Sequence, residues 1–198
     1  KLSKPVPPTL VATGTFTNTY PSINWTPISG ASGYKVYRDN ILLTTLGSTT
    51  YTYIDTGAAI GTHKYYITAV NDGIESDHSN TVSVVVDRTV PVVKSLTVSG
   101  VGIIDLRLLS LALVLMPNKD VTLLIDASDN NSGIASGEYY IDTDPGKGHA
   151  KTMVYAGSKL SASVLANDLP RGIHRLFVRA QDSAGNWSSS ASITTVRL

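Results

Sequence analysis

A valine-rich run followed by a proline divides this sequence into two halves. Residues 82–86 form a β-branched run that ends at Asp87, and a second apolar run begins at Val92. Pro91, between them, has no N–H to donate to a sheet, and it biases the preceding residue toward an extended backbone. We therefore predict that one β domain ends at Asp87, that a second begins at Val92, and that a short stiff linker joins them.

The chain length agrees with two domains. Its 198 residues exceed the usual size of a single domain, whereas two domains of about 100 residues can each bury a core. The first eight residues carry three prolines and no apolar stretch of signal-peptide length, which is typical of an extended tether. The predicted organisation is a proline-rich segment at residues 1–8, a sandwich at 9–87, the linker at 88–91 and a second sandwich at 92–198.

The residue pattern favours strands over helices throughout the chain. Charged residues make up only 16% of it, while Thr, Ser, Gly, Tyr and Val are abundant. Short β-branched and aromatic runs alternate with turn residues at the spacing of a sandwich. The predicted fold class is all-β, with two tandem antiparallel β-sandwiches. The predicted strands are residues 9–13, 22–26, 34–38, 41–46, 50–54, 61–71 and 79–86, then 92–98, 121–126, 137–142, 151–155, 161–165, 174–181 and 191–196.

One strand motif occurs in both halves. Gly61–Ala69 and Gly172–Ala180 share the order Gly, any residue, His, basic, apolar, aromatic, β-branched, polar, Ala. The two histidines, His63 and His174, are 111 positions apart, about the length of one sandwich domain. The repeat favours tandem sandwiches over a single large barrel, and it predicts that both histidines are hydrogen-bonded core residues.

The first half has a tryptophan in an early strand, a strand that begins Gly-Tyr, and a long strand that ends Ala-Val-Asn. These features and the short motifs that follow them lie at Ile23–Thr26, Gly33–Arg38, Gly61–Asn71, Glu75–Ser76 and Ser79–Asn80. Together they resemble a fibronectin type III domain over about residues 5–87. His63 stands where this family usually has tyrosine, a departure that leaves the expected fold intact and alters one buried corner.

The second half resembles a bacterial immunoglobulin-like domain of extracellular proteins. The resemblance is carried by Asp126–Ile134, Glu138–Gly146, Leu169–His174 and Val178–Ser188. Such modules usually occur as spacers or display units in surface proteins and large secreted enzymes. The resemblance therefore implies an extracellular or cell-surface protein without a catalytic site of its own.

Charge and motif content exclude several classes of function. The net charge of +1 gives no electrostatic basis for binding nucleic acid or an anionic membrane. The absence of cysteine removes disulfides, thiolate chemistry and cysteine-ligated zinc. No nucleophile elbow, phosphate loop or dinucleotide fingerprint is present. Glu138, Asp142 and Asp144 could supply a glycosidase pair, but a sandwich strand offers no cleft, so we expect no catalytic residues.

Residues 103–116 are unusually apolar, with only Asp105, Arg107 and Ser110 polar among fourteen residues. A membrane span needs about 20 apolar residues, so we expect no span here. Two alternatives stay open: the segment is buried in the second sandwich, or it is an exposed surface for assembly or docking. The interaction candidates are Ile104, Leu106, Leu109, Leu111, Leu113 and Leu115, together with Trp187 near a predicted loop tip.

Two acidic loops in the second half offer oxygen ligands of the kind that calcium prefers. The candidate ligands are Asp126, Asp129, Asn131, Asp142 and Asp144. The segment that begins at Asp129 is not an EF-hand, because Tyr140 stands where the bidentate glutamate is required. The alternative is Asx-turn chemistry, in which Asp and Asn side chains bond their own backbone. Calcium is thus the one cofactor that the sequence leaves open.

The function predicted from these observations is structural. We expect a non-catalytic extracellular module that acts as a spacer, a display unit or a self-assembling subunit of a filament or surface layer, with proteins, including copies of itself, as partners. The alternative is an accessory module of a secreted carbohydrate-active enzyme, with a polysaccharide as partner. Exposed coplanar aromatic rings on one sheet would favour that alternative.

Overall fold

The computed structural model describes residues 3–99, 101–102, 113–115, 120–156 and 158–197. By its internal contacts the chain divides into two compact units, Lys1–Arg88 and Thr89–Leu198. The predicted all-β fold class is confirmed, because regular structure in the described residues consists of strands and one short 3-10 turn at Ala166–Asp168.

The first unit contains nine strands that form two sheets. The strands are β1 (Leu10–Ala12), β2 (Phe16–Thr17), β3 (Ser22–Trp25), β4 (Gly33–Arg38), β5 (Ile41–Gly47), β6 (Thr52–Ile54), β7 (Gly61–Asn71), β8 (Ile74–Glu75) and β9 (Val82–Val86). One sheet has the order β1-β3-β6, and the other has the order β2-β9-β7-β4-β5, with β8 paired to β7.

Both sheets of the first unit contribute side chains to one core. Alternation along β4 and β7 buries Tyr34 and Val36 from the first strand and Tyr65 and Ile67 from the second. Trp25 of β3 joins them with its ring centroid 5.7 Å from that of Tyr34. Trp25 is therefore a core residue, as the strand pattern predicts.

Two tight hairpin turns follow from the residues at their tips. Asp39 and Asn40 connect β4 to β5 with φ angles of 52° and 68°. Asp72 and Gly73 connect β7 to β8 with φ angles of 47° and 80°. Positive φ at both central positions defines a type I′ turn, which Asn, Asp and Gly tolerate better than other residues.

Two short strands of the first unit were not expected from the sequence. β2 pairs in parallel with β9, with Phe16 opposite Val85, and β8 pairs with the end of β7. A two-residue strand is too short to show any periodicity, so neither leaves a pattern in the sequence. Among the described strands, the parallel pair β2–β9 is an exception to the predicted antiparallel arrangement, as is the parallel pairing of residues 113–115 with residues 195–197 in the other unit.

β5 lies at the margin of its sheet and pairs only with β4 among the described strands. Its seven residues include neither a charged residue nor a proline. Ile41 and Leu42 at its start are exposed. The outer backbone groups of this strand thus face away from the sheet.

The second unit also consists of strands that enclose a core. The strands are β10 (Val92–Ser99), β11 (Val101–Gly102), β12 (Leu113–Leu115), β13 (Val121–Ser128), β14 (Ile134–Ile141), β15 (Lys151–Ala156), β16 (Lys159–Val164), β17 (Gly172–Asp182) and β18 (Ala191–Arg197). They form a continuous path β10-β13-β16-β15-β14-β17-β18-β12-β11, in which β15 bonds to β14 on one side and to β16 on the other. The core is lined by Leu123 and Ile125 of β13 and by Leu176, Val178 and Ala180 of β17.

The apolar segment lies mostly outside this description. Ile104, Leu106, Leu109 and Leu111 fall outside the described residues. Leu113 and Leu115 belong to β12, where they pair in parallel with Thr195 and Arg197 of β18. Whether the segment is core or interface stays a prediction. The described residues include no helix of the length and hydropathy that a membrane crossing requires.

Candidate functional surfaces

A ladder of cations and aromatic rings lies on the outer face of the second unit's sheet. We call it the cation–aromatic ladder; it consists of Arg175, Phe177, Tyr140, Arg179 and Trp187. Arg175, Phe177 and Arg179 alternate along β17 with core residues, so they share the face turned away from the core. Tyr140 lies directly opposite Phe177 on β14. Cross-strand register thus builds the ladder from residues that are distant in sequence.

The distances in the cation–aromatic ladder show direct contact at each step. The Arg175 guanidinium carbon lies 5.3 Å from the centre of the Phe177 ring. The rings of Phe177 and Tyr140 stack with centroids 4.8 Å apart and an interplanar angle of 8°. The Arg179 guanidinium carbon lies 5.1 Å from the Tyr140 centroid and 5.6 Å from that of Trp187. Each such contact is within the range of a cation–π interaction or of aromatic stacking.

The first unit has a related stack at the corresponding strands. Tyr37 of β4 lies opposite Tyr66 of β7, and their parallel rings have centroids 4.7 Å apart. The His78 ring stacks on Tyr66 with a centroid distance of 4.1 Å. Tyr66 is in parallel contact with two rings and is only 9% exposed. The rings of this stack bind one another and leave little free aromatic face.

A half-buried carboxylate, that of Glu75, fastens the stack of the first unit. Glu75 accepts hydrogen bonds from Lys35 Nζ at 2.6 Å, Tyr37 Oη at 2.7 Å and Thr68 Oγ1 at 2.6 Å. Desolvation by burial opposes ionisation, but these bonds, that of Lys35 first, lower the pKa of Glu75 to about 2. Burial and then the bond to Glu75 raise the pKa of Tyr37 to about 12.

Arg179 of the cation–aromatic ladder also belongs to a buried ion pair with Glu138, the residue directly opposite it on β14. Arg179 and Glu138 are 2% and 3% exposed, and Arg179 Nε donates to Glu138 Oε1 at 2.5 Å. The same carboxylate accepts the backbone N–H groups of Gly148 and Ala150 at 3.0 and 3.1 Å. Arg179 Nη1 donates to Asp144 Oδ2 at 3.0 Å. These bonds join the loop between β14 and β15 to the middle of the sheet.

The carboxylates considered for glycosidase chemistry are all bound to other groups of the chain. Glu138 and Asp144 share Arg179, and Asp142 bonds to His174 Nδ1 at 2.7 Å. A hydrogen bond from the Gly146 N–H and then one from Arg179 hold the pKa of Asp144 below its usual value. None of these three groups stands free beside a second carboxylate, as an acid–base pair requires.

The predicted calcium ligands lie at different places in the second unit. Asp129 Oδ1 accepts the backbone N–H groups of Asn131, Ser132 and Gly133 at 3.0, 2.9 and 3.1 Å, which is Asx-turn geometry. Asp126 lies on β13. Asp142 and Asp144 belong to the loop that follows β14. Calcium binding by these residues stays a prediction.

Asp182 is a neighbour of Asp129 that the sequence did not indicate. A carboxylate oxygen of each lies within 4.8 Å of the other. Asp182 is almost fully buried, and its carboxylate accepts both the backbone N–H and the side-chain amide of Asn186. No short spacing links the two aspartates, because they are on different strand ends, so only the fold brings them together.

Trp187 packs down onto the sheet instead of projecting from a loop tip. Its backbone forms an isolated bridge with Gln181, and its ring contacts Arg179. The side chain is partly buried. That Trp187 binds a partner stays a prediction, and its ring already contacts Arg179 of the same chain.

A pocket of about 410 Å³ lies beside the loop between β14 and β15. Tyr139, Tyr140 and His149 contribute to its lining, and so do Lys151 and Asp168. The last two form an ion pair with each other. The pocket therefore presents apolar surface and a neutralised pair of charges.

Comparison with known proteins identifies the type of fold. No family model matches the chain. The fibronectin(III)-like modules of CbhA from Clostridium thermocellum superimpose with a TM-score of 0.58 and 20% identity, over 96% of this chain and 94% of theirs. The FN1–FN3 domains of chicken CNTN1 superimpose with a TM-score of 0.53 and 17% identity, over 96% of this chain and 68% of theirs.

One curated protein matches part of the sequence. Exochitinase 1 of Streptomyces olivaceoviridis is 44% identical over 48 residues, which are 24% of this chain. The matched stretch spans only 8% of that protein's length. Together with the sheet topology, the structural matches show that this chain has a fibronectin type III-like β-sandwich fold.

Proposed function

We propose that this chain is a non-catalytic accessory segment of a secreted carbohydrate-active enzyme, in which it acts as a spacer. The observation that carries the proposal is that the polar and aromatic groups on the outer sheet faces are bound to one another. The residues of the cation–aromatic ladder contact one another, and Glu75 is bound by Lys35, Tyr37 and Thr68. Groups occupied in this way stabilise a surface and leave little for catalysis.

The similarity to other proteins supports the carbohydrate context and an extracellular location. A chitinase contains a stretch related to this chain, and the modules of CbhA share its fold. The absence of cysteine is compatible with secretion, because each unit has an apolar core that does not need a disulfide.

Direct polysaccharide binding by the outer aromatic rings is not part of this proposal. A sugar ring that stacks on an aromatic side chain needs an open ring face. Tyr66 and Tyr140 are 9% and 8% exposed, and each is covered by neighbouring groups. Self-assembly, the other role considered, depends on residues 103–116, most of which lie outside the described residues.

The proposal can be tested with fusions in which one segment separates a chitin-binding anchor domain from a chitin-acting catalytic domain. One fusion carries this chain, and the matched control carries a Gly/Ser linker with a similar mean end-to-end span. We expect equal activity on soluble oligosaccharides and higher activity of the first fusion on insoluble chitin, because a folded spacer keeps the catalytic domain away from its anchor. The chain alone should stay in the supernatant when mixed with chitin or cellulose. Hydrolysis by the chain alone, or equal activity of both fusions on insoluble chitin, would contradict the proposal.

A further inference from the structure

A second pocket, of about 240 Å³, lies in the first unit where β1, β2 and β3 are joined. The segments that connect these strands line it, together with Val84 of β9. Val84 belongs to the core and is 2% exposed, so the pocket reaches down to the core. Its volume is below the about 300–1,000 Å³ of a site for a drug-sized ligand, and it therefore suits about one ring of a ligand.

Two aromatic rings with open surface border this pocket. Phe16 and Tyr20 are 38% and 47% exposed, whereas Tyr66 and Tyr140 of the outer stacks are 9% and 8% exposed. The Arg88 guanidinium carbon lies 5.3 Å from the centre of the Tyr20 ring, and nearly half of Tyr20 is exposed even so. The pocket thus offers the open aromatic surface that the outer stacks lack.

Four hydroxyl side chains supply the polar part of the lining; they belong to Thr13, Thr17, Thr19 and Ser22. Thr13 Oγ1 donates to the Ser22 carbonyl oxygen at 3.0 Å, so its lone pairs are left to accept a hydrogen bond. The Thr17 and Thr19 hydroxyl oxygens are 3.1 Å apart, and a bond between them uses only one of their two protons. The pocket can therefore both donate to and accept from a ligand hydroxyl.

None of the nine lining residues, all of them described, carries a charged side chain. Arg88, which contacts the Tyr20 ring, directs its Nη groups to the carbonyl oxygens of Thr19 and Ala58. A charged ligand would lose water here without gaining a partner of opposite charge. The matching ligand is neutral, with an apolar ring face for the aromatic side chains and hydroxyl groups for the polar ones. A pyranose sugar has this combination.

The walls of the pocket are fixed by bonds to the rest of the first unit. The Asp87 N–H donates to the Thr17 carbonyl oxygen at 2.9 Å. Arg88 Nη2 donates to the Thr19 carbonyl oxygen at 2.7 Å. Segments that are already ordered lose little conformational freedom when a ligand binds.

We propose that this pocket binds one pyranose ring of a neutral saccharide, with the ring face against Phe16 and Tyr20 and the sugar hydroxyls bonded to Thr13, Thr17, Thr19 and Ser22. This binding site is additional to the spacer role and does not depend on it. Contact with a single ring gives a dissociation constant on the order of millimolar. Binding of this strength leaves the chain in the supernatant of an insoluble polysaccharide, which exposes few chain ends.

Titration of the nitrogen-labelled full chain by nitrogen–proton correlation NMR tests the site. The probes are the soluble β-1,4-linked trimers of glucose and of N-acetylglucosamine, in separate arms, and glycerol is the control polyol without a ring face. We expect at least one trimer to give saturable shifts of the Thr17, Thr19 and Ser22 amides, while the amides of the second unit do not move. Binding of one trimer alone assigns the preferred sugar substituent. Shifts that do not saturate with either trimer, or equal shifts with glycerol, would overturn the proposal.

Tyr20→Ala removes one stacking surface and should weaken binding about two- to tenfold. Phe16→Leu keeps an apolar side chain opposite Val85 and should also weaken binding, which covers the case that Tyr20→Ala disturbs its loop. Tyr51→Ala is the matched control, because Tyr51 is 38% exposed in the same unit and is not among the lining residues. Unchanged affinity in both pocket variants, or an equal loss in Tyr51→Ala, would overturn the site. The fusion activities test the spacer role separately, since either result can fail while the other holds.

Discussion

Replacement of Glu138 by glutamine is expected to destabilise the second unit strongly. The glutamine amide has one acceptor oxygen in place of two, so its NH2 group would face the N–H of Gly148 or Ala150. Arg179 would lose the charge that lies 2.5 Å from its Nε. Removal of one partner from a buried ion pair costs about 3–5 kcal/mol. The lower end applies here, about 3 kcal/mol, because Arg179 keeps Asp144 and two aromatic rings as partners.

The two tryptophans allow this cost to be measured in one unit alone. Trp25 belongs to the first unit and Trp187 to the second, so in a Trp25→Phe background all tryptophan fluorescence reports on the second unit. Urea unfolding of a small domain has a slope of about 1–3 kcal/mol/M, so a loss of 3 kcal/mol lowers the midpoint by about 1–3 M. Far-UV circular dichroism should give the same midpoint if the transition is two-state.

A double variant separates the ion pair from its surroundings. Glu138→Met combined with Arg179→Met removes both charges and should cost less than either single substitution, because no unpaired charge is left buried. Asp144→Asn, at an exposed partner of the same arginine, should have only a small effect. A midpoint shift below about 0.5 M for Glu138→Gln, the effect expected of an exposed pair, would refute the reasoning.

Three further outcomes follow from the structure. The pKa of Glu75 is lowered to about 2, whereas its unfolded-state value is about 4.3. Its contribution to stability is therefore present above about pH 4.3 and is lost as the pH falls toward 2. Glu75→Gln should flatten the acid unfolding curve, recorded by Trp25 fluorescence in a Trp187→Phe background. Gly137→Ala should destabilise the second unit by about 1–3 kcal/mol in urea unfolding, since the new Cβ would lie 2.7 Å from Leu160 Cδ1 and 3.1 Å from the Arg179 carbonyl oxygen; an unchanged midpoint would contradict this. EDTA should leave the thermal unfolding of the second unit unchanged, because the loop carboxylates accept hydrogen bonds from the chain. Added calcium that stabilises the unit, by about 2.7 kcal/mol at 100 times the dissociation constant, would instead establish a calcium site.

The fold class and much of the core could be predicted from the sequence because alternation is a local property. Tyr34 and Val36 alternate with polar or half-exposed neighbours, and both are fully buried. The repeated Gly-x-His motif predicted that His63 and His174 are hydrogen-bonded core residues. Both rings bond through two nitrogens, but both are only partly buried, so they are not core residues. β8 could not be predicted, because two residues carry no period.

The contacts that organise the outer surfaces depend on strand register, which the sequence does not specify by itself. Glu138 and Arg179 are 41 positions apart, and they meet because the pairing of β14 with β17 puts them directly opposite each other. Asp39 could be recognised as a turn residue, but nothing in its neighbourhood indicated a bond to a histidine 24 positions later. A partial signal existed in Arg175, Phe177 and Arg179, which stand at every second position of β17 and therefore predict one shared face.

The uncharged margin formed by β5 has a practical consequence for reuse of the first unit as a building block. A strand of seven residues without lysine, proline or acidic residues offers its free backbone groups to any extended chain, and this makes it a template for aggregation when the protein is concentrated. The exposed Thr45 is the natural place for a gatekeeping lysine, because its side chain leaves the core untouched. We therefore expect Thr45→Lys to reduce pairing between copies of the first unit along β5.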